Sequence, residues 1–226
     1  MKILFTLNEG IMVSPAQQFL KKHYAGLQRN TQNVKATNAY EMMLAKLNSD
    51  RIRLKKFQSK EAKIELKKIL IPEYLDWIDG VLKADNAQQD DVFMRLMVWM
   101  IDTKQFELAY PLAEHAIKHN WITPDEYKRQ TAALIAEELA NTTLTQLSNK
   151  QEVNVDILFK FAELVNDKDM FDEVRAKLSK AIGLVLKDNQ PEQALSYLKR
   201  ALELDENSGV KGLIKTLEKT LEIDKS

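Results

Sequence analysis

From Asp90 to Asp102 the apolar residues Val92, Phe93, Leu96, Met97, Met100 and Ile101 return every three or four positions, the spacing of a wide buried stripe on a helix. The same period governs Tyr74, Leu75, Trp77, Ile78, Val81 and Leu82, and it continues through Phe106–His119 and Val155–Leu164. A chain patterned this way must bury helices against helices. Only six Gly and five Pro interrupt it, too few for the tight turns of sandwiches and barrels. The 226 residues can bury roughly 70% of their unfolded surface. The absence of Cys excludes disulfides, thiol nucleophiles and every Cys-based zinc or iron-sulfur centre. No apolar run reaches the roughly 20 residues of a membrane span, and Asn8 and Glu9 cut short the apolar opening before any leader signature develops. The expectation is a soluble, intracellular, all-α protein.

Within that frame, Ser14-Pro15-Ala16-Gln17 marks a helix start, with Ser14 as cap, Pro15 at the first helical position and Gln17 reaching back. That helix is expected to reach Gln28, and the polar stretch Arg29–Thr37 reads as a linker. Asn38 can cap the next helix. Tyr40, Met43, Leu47, Leu54, Phe57, Ile64 and Ile71 then form a seam of coiled-coil spacing, interrupted at Asp50, Glu61 and Lys68. One basic, amphipathic helix is predicted along this seam, ended or kinked by Pro72. Further on, Asp85–Gln89 separates two helices, Asp90 and Asp91 suit a helix amino end, and Pro124 is expected to open a helix running to Asn141.

The carboxyl end predicts two antiparallel helices, Phe171–Lys187 and Glu192–Leu204, joined by Asp188-Asn189-Gln190-Pro191 and followed by a third helix from about Val210. Ala194-Leu195, Tyr197-Leu198, Ala201-Leu202 and Leu204-Asp205 resemble a tetratricopeptide-type repeat, in which alanines let helices approach closely. A shift of 85 residues aligns Phe93 with Leu178, Leu96 with Ala181, Met97 with Ile182, Ala109 with Ala194 and Ala116 with Ala201. Two related hairpins explain this agreement. Chance similarity of amphipathic helices is the alternative.

Net charge is zero, yet it is unevenly distributed. Up to Pro72 there are 14 Lys or Arg against 5 Asp or Glu, a balance of +9, and the remainder holds 19 against 28, or −9. The basic end suits a polyanion. Its candidate DNA-binding residues are Lys46, Arg51, Arg53, Lys55, Lys56, Lys60, Lys63, Lys67 and Lys68. Such a density of cations gains affinity for a phosphate backbone by counterion release, without base-specific geometry. The other reading is a solvated coiled-coil face.

Catalytic patterns are sparse. No G-x-x-x-x-G-K segment exists to bind ATP phosphates. His115 and His119 have metal-compatible spacing, but the Glu of a zincin motif does not follow His115, so they read as a helix-surface coincidence and no metal site is assigned. Asp76, Asp79, Asp85, Asp90 and Asp91 offer carboxylates for divalent ions. Helix capping accounts for Asp90 and Asp91 more cheaply, Asp76 and Asp79 fit a solvated helix face, and no catalytic residue is assigned.

The order and spacing of Ser14-Pro15-Ala16-Gln17, Tyr40-Glu41-Met42-Met43-Leu44, the Lys-rich segment, Trp77-Ile78-Asp79-Gly80-Val81-Leu82, Gln89-Asp90-Asp91, Trp99-Met100-Ile101-Asp102-Thr103 and Asp172-Glu173-Val174-Arg175-Ala176-Lys177-Leu178 resemble the terminase small subunit of peduovirus-type temperate tailed phages, a family often labelled the terminase endonuclease subunit. The resemblance implies binding to the cohesive-end packaging (cos) site of concatemeric double-stranded viral DNA, recruitment of the large ATPase subunit, homo-oligomerisation, and a part in the cut that precedes packaging into the capsid. It also implies the cytoplasm of the bacterial host as the working compartment and no membrane partner. Nuclease activity, with Mg or Mn as its cofactor, rests on the resemblance alone. The expected organisation is a mobile extension over residues 1–13, a basic DNA-binding and oligomerisation region over 14–72, and a helical body with tetratricopeptide-like hairpins over 73–226. A helical adaptor that binds protein partners without DNA is the alternative from another functional class.

Overall fold

A computed structural model describes residues 39–124 and 130–223. The expected extension over 1–13, the helix from Ser14, the linker Arg29–Thr37 and the Asn38 cap lie outside the described residues. The chain divides into two units, Met1–Ser49 and Asp50–Ser226. Helix α1, residues 39–55, carries the boundary between them. Among the described residues every regular element is helical, so the all-α expectation holds. No helix among them is long and apolar enough to cross a membrane.

The continuous seam helix expected up to Pro72 is instead broken. Helix α1 closes with the amides of Lys56 and Phe57 bonded to the carbonyls of Arg53 and Leu54, and residues 57–59 leave the helical path. Helix α2, Lys60–Leu70, starts afresh because the Ser59 hydroxyl accepts from the Ala62 amide at 3.3 Å. Glu61 in its first turn complements the positive end of the helix dipole. The seam is thereby divided: Leu54 and Ile71 are buried, whereas Phe57 is 42% exposed. Pro72 acts as expected, within a 3-10 turn, Ile71–Tyr74, that leads into α3, Leu75–Ala84.

Helix α4, Asp91–Asp102, is the centre of the body, with Val92 through Ile101 buried without a break. Helix α2, the 3-10 turn, α3, α5 (Phe106–Lys118) and α6 (Thr131–Ser148) all pack on it. A helix buried on every side, Arg95 included, needs such a central position. Asp90 caps it, accepting from the Phe93 amide at 2.8 Å and from the Trp77 indole at 2.9 Å. Helix α6 departs from expectation at its far end: it continues past Asn141 to Ser148, and Thr143 is buried within it. Its opening was expected at Pro124. Pro124 itself is not helical, residues 125–129 lie outside the described residues, and the described helix starts at Thr131.

Helices α7 (Val155–Leu164), α8 (Asp172–Leu186), α9 (Pro191–Leu204) and α10 (Lys211–Ile223) follow. Helix α8 joins the body through α6 and α7, α9 packs along α8, and α10 packs on α9. The two aligned hairpins exist as α4–α5 and α8–α9, and all ten residues paired by the 85-residue shift are buried. Close approach in the second hairpin depends on Gly183, where an added Cβ would lie 2.7 Å from Leu198 Cγ and 3.2 Å from the Ala194 carbonyl.

Candidate nucleic-acid interface

Lys55 and Lys56 end α1, Lys60 opens α2 and Lys63 follows one turn later, so the helix break gathers four cations around one short connection. Among the described residues none of these four has an ionic partner. Lys55, Lys56 and Lys60 are exposed and Lys63 is half-exposed. Lys60 stands where the helix dipole disfavours a cation, a local conflict of the kind found where a surface serves a ligand.

The other five cations are differently placed. Arg53 Nη1 donates to Asp50 Oδ1 at 2.8 Å. Lys67 pairs with Asp102 of α4, and its side chain is only 16% exposed. Lys68 bridges to Glu65 at 2.8 Å along the α2 surface. Lys46, in the first unit, and Arg51 also engage neighbours. Lys67 in particular helps to fix α2 on α4.

The five aspartates considered as metal ligands do not converge among the described residues. Asp90 is the α4 cap, Asp79 pairs with Lys83, and Asp91 accepts from Gln89 Nε2 at 3.1 Å. Burial raises the Asp90 carboxyl above its ordinary range, and the bonds from Phe93 and Trp77 pull it back. Asp76 is exposed on α3.

His115 and His119 correct their sequence reading. His115 is buried and His119 is 13% exposed at the side chain, so neither decorates an open helix surface. Both face Asp85: His119 Nε2 lies 3.0 Å from Asp85 Oδ1, and His115 Nδ1 lies 3.6 Å from it. Lys118 Nζ reaches both Asp85 oxygens, at 2.6 and 2.8 Å. The hydrogen bonds from Lys118 and His119 lower the Asp85 carboxyl to about 2. Asp85 arrives there as the left-handed C-cap of α3, φ 42°, with its amide on the Val81 carbonyl.

The body is thus an all-α protein of packed helical hairpins with a cationic turn at one edge. The chain belongs to the phage small terminase subunit family, whose pattern matches residues 44–173. It is 37% identical over 213 residues to the "Terminase, endonuclease subunit" of Escherichia phage P2, covering 93% of this chain and 86% of that protein. It is 24% identical over 192 residues to the "Probable terminase, endonuclease subunit" of Haemophilus phage HP1, covering 78% of this chain and 68% of that protein. No solved structure matches the chain. Its family membership supports a role in phage DNA packaging.

Proposed function

We propose that this chain is the DNA-recognising component of a phage terminase, binding the packaging (cos) site of concatemeric viral DNA through the lysines around the α1–α2 connection. The large ATPase subunit is its protein partner, and the host cytoplasm is where the two meet. The observation that carries this reading is the gathering of Lys55, Lys56, Lys60 and Lys63, none with an ionic partner among the described residues, around one short connection. Their charge is locally concentrated in a chain whose overall balance is zero, so general basicity does not account for them. Arg53, Lys67 and Lys68 contribute field but are already held by carboxylates. Self-association supports the same role. The exposed Ile52, Phe57 and Ile69 lie within this basic segment and give a second copy apolar surface to cover. Participation in the cut follows the wording shared by the P2 and HP1 relatives.

Duplex binding over a range of salt concentrations tests the reading. Replacing Lys55, Lys56, Lys60 and Lys63 with Gln keeps helix propensity and removes four charges. If each touches a phosphate, the slope of log affinity against log salt falls by about 0.9 per lost contact, roughly 3 to 4 in all. An unchanged slope with intact helicity overturns the assignment of the surface. A wild-type chain that ignores DNA at physiological salt favours the adaptor reading instead. The same incubations with Mg2+ or Mn2+ show whether the lone chain nicks duplex, and light scattering of the same samples reads self-association.

A further inference from the structure

We infer that Asp85, His115 and His119 form a binding site for one divalent transition-metal ion of the zinc class. One ligand atom from each of the three residues lies within 4.8 Å of the others. Two donors each about 2.0 to 2.1 Å from a tetrahedral ion stand about 3.4 Å apart, and the observed separations from Asp85 Oδ1, 3.0 Å to His119 and 3.6 Å to His115, bracket that edge. The donor set of two imidazoles and one carboxylate suits Zn2+, Co2+ or Ni2+ and is poor for Mg2+, which favours an all-oxygen octahedron.

The site is held from several directions. His115 and His119 lie one turn apart at the end of α5, so their rings are neighbours, 4.5 Å between centroids. The His115 ring packs against Trp121 at 4.8 Å and Phe93 at 5.4 Å, which fixes its plane. Trp121 in turn donates its indole N–H to the Ala87 carbonyl at 3.0 Å, and Gln89 accepts from the Ile122 amide at 3.0 Å. The loop carrying Asp85 is therefore tied to the segment after α5. The His115 Nδ1, the ring nitrogen turned toward Asp85, lies beyond hydrogen-bond reach of its carboxylate.

The Lys118 ammonium donates to both oxygens of the Asp85 carboxylate. It is 57% exposed at the side chain, so an arriving ion can displace it into water. Three protein donors then leave a fourth position on a tetrahedral ion for a water molecule.

The test uses the full chain, with Zn2+ titrated calorimetrically and Co2+ followed by its visible d–d absorption. One equivalent should bind, and a large excess of Mg2+ should leave it in place. Asp85→Asn keeps a residue that tolerates the left-handed backbone, and His119→Gln alters a helix end rather than the core. Each should weaken binding by more than the roughly 10- to 100-fold that even outer partners of metal ligands are worth. Lys118→Gln removes the competing cation and should bind at least as tightly as the parent. Absence of stoichiometric binding, or binding that survives both ligand substitutions with far-UV spectra unchanged, overturns the site. Weaker binding by Lys118→Gln overturns the displacement of that lysine.

Discussion

The Tyr74 hydroxyl donates to Asp50 Oδ2 at 2.7 Å, while Arg53 holds the other oxygen of the same carboxylate at 2.8 Å. Asp50 is 3% exposed and Tyr74 is fully buried. Burial, followed by the bond to Asp50, drives the Tyr74 hydroxyl far above its ordinary value, so it remains a donor at every pH where the protein is folded. The acid that interrupts the apolar seam is therefore an anchor between α1 and the turn after α2.

Tyr74→Phe leaves a buried carboxylate short of a donor, which costs about 1 to 3 kcal/mol. Urea denaturation should show the midpoint falling with an unchanged slope. A loss below about 0.5 kcal/mol, the size of an ordinary surface substitution, would remove Asp50 and Tyr74 from the account of stability.

Gly183→Ala should destabilise although alanine is the better helix former by about 1 kcal/mol. The new methyl meets Leu198 Cγ at 2.7 Å, and overpacking of this kind costs about 1 to 3 kcal/mol. Gly80, exposed on α3 with nothing within 4 Å of an added Cβ, is its control. Gly80→Ala should raise the melting temperature. Equal responses at the two positions would contradict the close α8–α9 approach.

Asp90 supplies a pH dependence whose sign follows from burial. Its folded value lies above the ordinary 3.8, so in the window between the two the native state binds more protons than the unfolded chain. Stability then falls as pH rises through that window. The nearby charges are Asp91, which adds to the upward shift, and the N-terminal dipole of α4, which opposes it. Asp90→Asn keeps one cap acceptor and abolishes the titration. Chemical denaturation from neutral pH down toward about pH 4 should show the parent gaining on the variant as acid is added. A parent that loses ground to the variant would reverse the assigned sign.

Much of the fold was legible because its signals are local. Pro72, the Asp90 cap, the alanines of α9 and the 85-residue correspondence all act within a few turns of chain, and the packed hairpins preserve them. The Ser59 break was missed because a coiled-coil period can run on through a break made by one hydroxyl and a pair of tightened backbone bonds, with neither Gly nor Pro to announce it. The extension of α6 was missed because polar Thr142 and Thr143 resemble a helix end until tertiary burial of Thr143 outweighs propensity. The grouping of Asp85 with His115 and His119 depends on contacts some 30 residues apart, which periodicity does not report. The cationic segment was visible as composition, but which cations are already paired is a property of α2 lying on α4.

The neighbours of α4 also have an order in time. Among the described residues, the elements that pack on it, α2, the 3-10 turn, α3, α5 and α6, have all been synthesised by Ser148. Domains form from the amino end as the chain leaves the ribosome. Helix α4, the element least able to tolerate water, can therefore be enclosed before α8, α9 and α10 exist. Those later helices then add to a surface already made, α8 on α6 and α7, α9 on α8 and α10 on α9, and the most adhesive segment need not stay open while the last part is translated.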